Sequence, residues 1–95
     1  MKEYLVLIKD FTDPECYSRR MAVREQHLAN SKKAKQEGKH MIMGGGLADK
    51  DGKLVASSIL FKADTKDEIM EILKKDIYVE SNVWDLSTVF IAEIN

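Results

Sequence analysis

Three segments of the sequence are apolar at both sets of alternating positions, and this feature constrains the fold most. Residues 4–9, 54–62 and 83–94 are short and rich in β-branched, aliphatic or aromatic residues, as is typical of strands. Successive side chains of a strand point to opposite faces of a sheet, so strands of this kind need cover on both sides. The sequence therefore predicts one sheet with two apolar faces.

Two amphipathic helices are predicted between these strands. Thr12 or, equally well, Asp13 can cap the start of the first helix, and Gly38 can take the left-handed backbone angles that often end a helix. Thr65 begins a second capping box, from which a shorter helix is predicted to run to about Lys75. Each helix thus has a start and a stop signal.

The middle of the chain is predicted to form a hairpin. Residues 40–48 form a strand that includes three consecutive glycines, and the Asp51-Gly52 pair marks the turn into the next strand. The order strand, helix, strand, strand, helix, strand predicts an α+β, ferredoxin-like βαββαβ domain over residues 1–95, a four-stranded antiparallel sheet with both helices on one face. Since the helices cover only one face, a second copy of the chain is the expected cover for the other, as a homodimer.

Composition excludes several classes of function. The 95 residues carry a formal net charge of −1, which argues against a large basic surface for nucleic acid. No apolar run approaches the roughly 20 residues that span a bilayer, and residues 1–10 lack a signal-peptide cleavage site, so we expect no membrane partner and a cytoplasmic location. The lone Cys16 has no disulfide partner. His27 and His40 lack the spacing of metal ligands, so we expect no metal and no cofactor.

Polar residues interrupt the apolar arc of the first helix. Projected at about 100° per residue, Arg24, His27 and Ser31 fall inside the arc that is predicted to face the sheet. Apolar side chains flank them in this projection: Tyr17, Met21 and Leu28 on one side, and Cys16, Val23 and Ala34 on the other. A charged group buried there needs a partner.

The second helix offers that partner. Asp76 lies seven residues after Ile69 and so continues the buried stripe of the helix. A hydrogen bond from His27 to this carboxylate would fix the imidazole tautomer and raise its basicity, as in a general base. The alternatives are that His27 is a satisfied core residue, that Arg24 bridges to a carboxylate, and that Asp76 only ends a helix. The glycine run lacks the Lys-Ser/Thr ending of a phosphate loop and is interpreted as keeping a pocket floor open.

With these motifs the sequence resembles the YciI-like (YCII-related) family of small dimeric α+β barrel proteins. The motifs are Arg24-x-x-His27-Leu28, Gly38, Gly44-Gly45-Gly46-Leu47 and Asp76-Ile77-Tyr78. The resemblance implies a ferredoxin-like dimer with His27 and Asp76 as the proposed active-site pair. One family member is a dehydrochlorinase acting on a chlorinated hydroxyquinol, and related barrels include muconolactone isomerases. Ile77 departs from the family, which commonly has a proline there that would restrict the backbone of Asp76.

We therefore expect a cofactor-independent enzyme for a small aromatic or cyclic polar molecule, working by proton transfer in an isomerisation or elimination. His27 would accept or donate the proton, Asp76 would orient the imidazole of His27, and Arg24 would hold an anionic group of the substrate. The other predicted substrate contacts are Ser31, Tyr78, Trp84 and Gly45. The competing hypothesis is a non-catalytic dimeric ligand-binding module in which His27 and Asp76 form a structural hydrogen bond.

Overall fold

The computed structural model describes residues 1–38 and 40–95. Its strands and helices follow the predicted order, with one extra helical turn and one 3-10 turn near the C-terminus. In chain order they are β1 (Lys2–Lys9), α1 (Cys16–Glu37), β2 (Met41–Ala48), β3 (Leu54–Ala63), α2 (Lys66–Lys74), α3 (Ile77–Glu80), the 3-10 turn Leu86–Thr88 and β4 (Phe90–Ile94). The predicted βαββαβ arrangement is confirmed.

The four strands form one antiparallel sheet in the order β2-β3-β1-β4. Its central strands carry buried apolar side chains on one face, among them Val6 on β1 and Ile59 on β3, which are cross-strand partners. The helices close this face, since Cys16 of α1 and both Ile69 and Leu73 of α2 belong to the same buried cluster. The core therefore lies between the sheet and the helices.

The opposite face of the sheet carries apolar side chains that the single chain leaves open. Leu7 lies directly between Phe90 on β4 and Ser58 on β3, and directly opposed residues share a face. The next row along the same face contains Leu5 and Leu60. Leu7 is 38% exposed and Phe90 is 54% exposed. We call this surface, centred on Leu5, Leu7, Leu60 and Phe90, the open face.

The predicted start of α1 is wrong. The helix begins at Cys16, and Glu15 occupies the cap position without a side-chain hydrogen bond. Neither Thr12 nor Asp13 caps the helix: the Asp13 carboxylate instead accepts two hydrogen bonds from Arg19 at 2.7 and 2.9 Å. The guanidinium of Arg19 outcompetes the backbone N–H groups because an ion pair in bidentate geometry is the stronger interaction.

The other helix boundaries follow the sequence. Gly38 has a φ of 65° and ends α1 in the left-handed conformation. The Thr65 hydroxyl accepts a hydrogen bond from the backbone N–H of Glu68 at 3.3 Å, so the predicted N-cap of α2 is confirmed. The Glu68 carboxylate accepts the backbone N–H of Asp64, one residue before the cap, at 3.4 Å. The inward stripe of α1 is narrower than predicted, because Tyr17 and Leu28 are exposed.

The predicted last strand, residues 83–94, is interrupted. Trp84 forms an isolated bridge with Asp10, the Leu86–Thr88 turn follows, and only Phe90–Ile94 pairs along β1. The side chain of Asp85 accepts hydrogen bonds from the backbone N–H and the hydroxyl of Ser87. This local bonding competes with the strand ladder, and it lets Trp84 pack under the helices while Phe90 lies on the open face.

The longest described helix, α1, has 22 residues, many of them charged. Across residues 1–38 and 40–95, no helix combines the length and the apolar character needed to cross a bilayer.

Candidate active site

His27 of α1 and Asp76, which follows α2, are in contact. The imidazole Nδ1 lies 2.9 Å from Oδ1 of Asp76. A carboxylate oxygen only accepts hydrogen bonds, so in the neutral imidazole the proton lies on Nδ1 and the lone pair on Nε2. The pair predicted from the two helical stripes is thus brought together, and its geometry makes Nε2 the nitrogen that is available to a ligand.

Asp76 is held in place by its position at the start of α3. The same Oδ1 also accepts the backbone N–H of Tyr78 at 2.9 Å, which makes Asp76 the N-cap of this turn. The Asp76 backbone is extended, with φ −70° and ψ 142°. A following proline favours this same region, so the cap maintains the conformation even though Ile77 stands in the proline position.

Two aromatic rings fix the plane of the imidazole. The ring of Tyr78 stacks on that of His27 with centroids 3.8 Å apart and an interplanar angle of 9°. Trp84 meets both rings edge-on, at 5.4 Å from His27 and 5.3 Å from Tyr78. Both aromatic side chains are buried, so the imidazole has little freedom to rotate.

A buried ion pair between Arg20 and Asp10 lies next to the aromatic rings that hold His27. Nη1 of Arg20 lies 2.8 Å from both carboxylate oxygens of Asp10, and the side chains are 3% and 5% exposed. Nη2 of Arg20 donates to the Ser57 hydroxyl at 3.2 Å, and the indole N–H of Trp84 donates to the same oxygen at 3.1 Å. The guanidinium also lies 4.9 Å from the centroid of the Tyr78 ring, within the range of a cation–π contact.

The sequence interpretation missed this ion pair. Arg20 lies seven residues before His27, so both fall on one stripe of α1. The helix projection could therefore have identified Arg20 as facing inward. Arg24, which was predicted to lie inside the arc, is exposed at the edge of the helix.

Burial raises the pKa of the Asp10 carboxyl, and the hydrogen bond and charge of Arg20 partly offset that rise. Burial likewise raises the pKa of the Tyr78 phenol, against the opposing charges of Arg20 and Arg24.

A small cavity of about 100 Å³ lies between α1 and the β2–β3 hairpin, beside His27. We call it the polar cavity. Four of the predicted substrate contacts line it: Arg24, Ser31, Tyr78 and Gly45. Trp84 is not among its lining residues in the described part of the chain, since the indole packs behind His27 and Tyr78. Arg20, Arg24 and Lys35 contribute positive charge to the wall, so the cavity suits an anion.

The glycine run lines this cavity, and Gly46, not Gly45, is a position at which a side chain would clash. A Cβ atom on Gly46 would lie 2.9 Å from Cδ2 of Leu54 and 3.2 Å from Nη2 of Arg20, whereas one on Gly45 would meet nothing within 4 Å. Gly46 therefore lets the strand approach the buried arginine. Gly45 contributes only backbone to the cavity wall.

A second cavity of about 260 Å³ lies on the other side of His27, between α1, α2 and the sheet. Most of its interior wall is apolar, formed by Ala34, Met41, Ile59, Phe61 and Ile72, and Asp76 borders it beside His27. We call it the apolar cavity. No sequence pattern predicts this cavity, because its walls come from four elements whose packing must be known.

The YCII-related domain model matches residues 2–92. The chain belongs to the YCII-related family. This confirms the resemblance drawn from the Arg-x-x-His-Leu and Asp-x-Tyr motifs. The chain is 32% identical over 90 residues to fusaric acid biosynthesis protein 2 of Gibberella fujikuroi, covering 90% of this chain and 85% of that protein. An aspartate kinase of Fusarium oxysporum matches at the same 32% identity, but over only 16% of its length.

A solved structure has the same fold. The 5-chloro-2-hydroxyhydroquinone dehydrochlorinase of Burkholderia phenoliruptrix, in complex with 2,5-dihydroxybenzoquinone, superposes with a TM-score of 0.76 over 98% of this chain and 93% of that one. The two chains are 17% identical. This likeness establishes the ferredoxin-like α+β fold predicted for the family.

Proposed function

We propose that this protein is an enzyme that transfers a proton on a small anionic molecule, with His27 as the base. The observation that carries the proposal is the 2.9 Å contact between Nδ1 of His27 and Asp76 next to a cavity with a basic wall. Nδ1 and Nε2 lie on different edges of the imidazole, so a carboxylate at Nδ1 leaves Nε2 free to accept a proton from a ligand. The Asp76 charge then stabilises the imidazolium that forms.

The other side chains of the polar cavity have roles in this proposal. Arg24 binds an anionic oxygen of the substrate, and Ser31 offers a hydroxyl one helical turn beyond His27. Tyr78 and Trp84 hold the imidazole ring through stacking and edge contacts. The chemistry needs no cofactor, because proton transfer and charge stabilisation are both supplied by side chains.

The reaction class that fits is an isomerisation or an elimination on an aromatic or cyclic polar substrate. In an elimination, Nε2 takes a proton from the substrate, the freed electron pair forms the new double bond, and the leaving group departs with its bonding electrons. The dehydrochlorinase that shares the fold and the fusaric acid biosynthesis relatives support an assignment to small-molecule chemistry of this kind.

We further propose that the protein works as a homodimer through the open face. The face is apolar along its two central strands and carries exposed side chains such as Leu7 and Phe90. Contiguous apolar surface of this kind is uncommon on a monomer.

One observation favours the alternative of a non-catalytic binding module. Oδ1 of Asp76 also caps α3, so the carboxylate has a structural role whether or not His27 reacts. In that case His27 would serve only to join α1 to α3 through Asp76 and Tyr78.

Turnover of chlorinated hydroquinones, other catechol derivatives and lactones by the wild type and by His27→Ala tests the proposal. We expect at least one substrate to be turned over by the wild type, with kcat reduced about 100-fold or more in the variant, the usual contribution of a general base. Gln36→Ala is the matched control, because Gln36 is exposed on the same helix and lines neither cavity. Equal turnover by the wild type and His27→Ala would refute the assignment.

A further inference from the structure

The polar and apolar cavities share a wall. Four residues line both: His27, Ser31, Met41 and Ile59. We propose that one amphipathic substrate occupies both cavities, with an anionic head group in the polar cavity and an apolar substituent in the apolar cavity. This inference rests on the proposed function, since it names the class of molecule on which His27 acts.

The positive charges around the polar cavity favour an anionic head group. No carboxylate lines this cavity within the described residues, whereas Arg20, Arg24 and Lys35 do. Asp10 neutralises the charge of Arg20. The Nε atom of Arg20 is nevertheless buried and has no hydrogen-bond partner among the described residues. Arg24 and Lys35 form no ion pair within those residues. A carboxylate or phenolate would satisfy this unbalanced positive charge.

The apolar cavity selects the other end of the molecule. Phe61 and Ile59 are buried in its wall, and Ala34 of α1 and Ile72 of α2 also line it. Its volume of about 260 Å³ exceeds the roughly 150 Å³ of an apolar cavity that binds benzene. Of its polar lining residues, Asn30, Glu37 and Lys75 are exposed, whereas His27, Ser31, His40 and Asp76 are partly buried. An aliphatic chain or a ring therefore fits it better than a second charged group.

Two residues of the shared wall lie at the point where chemistry would occur. His27 lies in the shared wall, so a molecule that spans both cavities passes beside its imidazole. Met41 is the most flexible of the shared side chains, and methionine adapts its shape to its neighbours. The thioether can thus move aside for a substituent without disturbing the sheet.

The inference can be tested with straight-chain carboxylates of increasing length: butyrate, hexanoate and octanoate. Binding is measured by NMR titration of the 95-residue chain, a method that detects weak affinities. For the wild type we expect Kd to fall roughly fourfold for each added methylene until the apolar cavity is full. Arg24→Gln should weaken all three ligands by the same factor, because only the head group contacts the arginine.

Filling the apolar cavity with a larger side chain should make Kd independent of the chain length of the carboxylate. Ala34→Leu places a larger apolar side chain in the cavity from α1, and Ile72→Phe does so from α2. Each should leave butyrate binding unchanged and abolish the gain for octanoate. Ala29→Leu is the matched control, since Ala29 is exposed on the outer side of α1, and it should retain the wild-type dependence.

Two results would overturn the inference: a wild-type Kd that does not change with chain length, or a chain-length dependence that persists in both filled variants. These measurements are made at equilibrium and need no turnover. They are therefore separate from the comparison of wild type with His27→Ala, so a failure of this inference can be distinguished from a failure of the proposed function.

Discussion

At the scale of single residues, the chemistry of the site depends on one oxygen atom. Oδ1 of Asp76 accepts hydrogen bonds from both His27 and the backbone of Tyr78. The same atom thus serves a structural role and, in the proposed mechanism, a catalytic one. Asparagine keeps an acceptor oxygen at this position but removes the negative charge, so the two roles can be separated.

Asp76→Asn should therefore retain stability but lose activity. We expect the free energy of unfolding to fall by less than about 1 kcal/mol, because the cap persists, whereas Asp76→Ala removes it and should cost about 1–2 kcal/mol. Turnover should fall about 100-fold or more in both variants, since neither stabilises the imidazolium. Urea denaturation and kcat measure the two effects, and an asparagine variant with wild-type kcat would show that the negative charge of Asp76 takes no part in turnover.

Helical periodicity alone places His27 and Asp76 facing inward, so the sequence predicted their meeting. It did not predict Arg20 and Asp10, although Arg20 lies on the same stripe of α1. A strand-end carboxylate such as Asp10 has no periodic signal, and its pairing with Arg20 depends on how α1 crosses the sheet. Long-range geometry, rather than local pattern, decides that contact.

At the scale of secondary structure, the two predicted N-caps differ in outcome. The Thr65 hydroxyl bonds to the backbone of Glu68, whereas no hydrogen bond joins Thr12 to α1 in the described structure. Both threonines matched the same sequence signature. The difference arises because Asp13, next to Thr12, is bound by Arg19, and the chain enters α1 three residues later.

Replacing each threonine by alanine should show this difference in solution. Thr65→Ala removes a cap and should lower the free energy of unfolding by about 1 kcal/mol. Thr12→Ala removes an exposed side chain with no cap bond and should change it by less than about 0.5 kcal/mol, as is usual for surface positions. Paired urea denaturation curves provide the measurement, and equal losses in the two variants would contradict the assigned caps.

The last strand shows why an alternating pattern can overstate an element. Residues 83–94 alternate well, yet Asp85 and Ser87 form their own turn and shorten the strand to Phe90–Ile94. Side chains that bond to nearby backbone compete with a ladder. The interruption has a consequence for the site, because it lets Trp84 reach His27 rather than remain in register with Phe90.

At the scale of the whole molecule, the two apolar faces predicted for the sheet have different surroundings. The helix-side face is buried, as predicted, and it holds the ion pair and both cavities. The open face remains exposed in the single chain. Its apolar character was predicted from the alternation in the strands, but what covers it depends on a partner that a sequence pattern cannot identify.

A charge on the open face should therefore prevent self-association. We expect the wild type to sediment as a dimer at micromolar concentration, and Leu7→Lys to sediment as a monomer, because a lysine beside Phe90 would lie inside the interface without a partner. Leu28→Lys is the control: Leu28 is 49% exposed but lies on α1, so that variant should remain dimeric. Sedimentation equilibrium distinguishes these states. A monomeric wild type, or a Leu7→Lys variant that still dimerises, would show that the open face is not the interface.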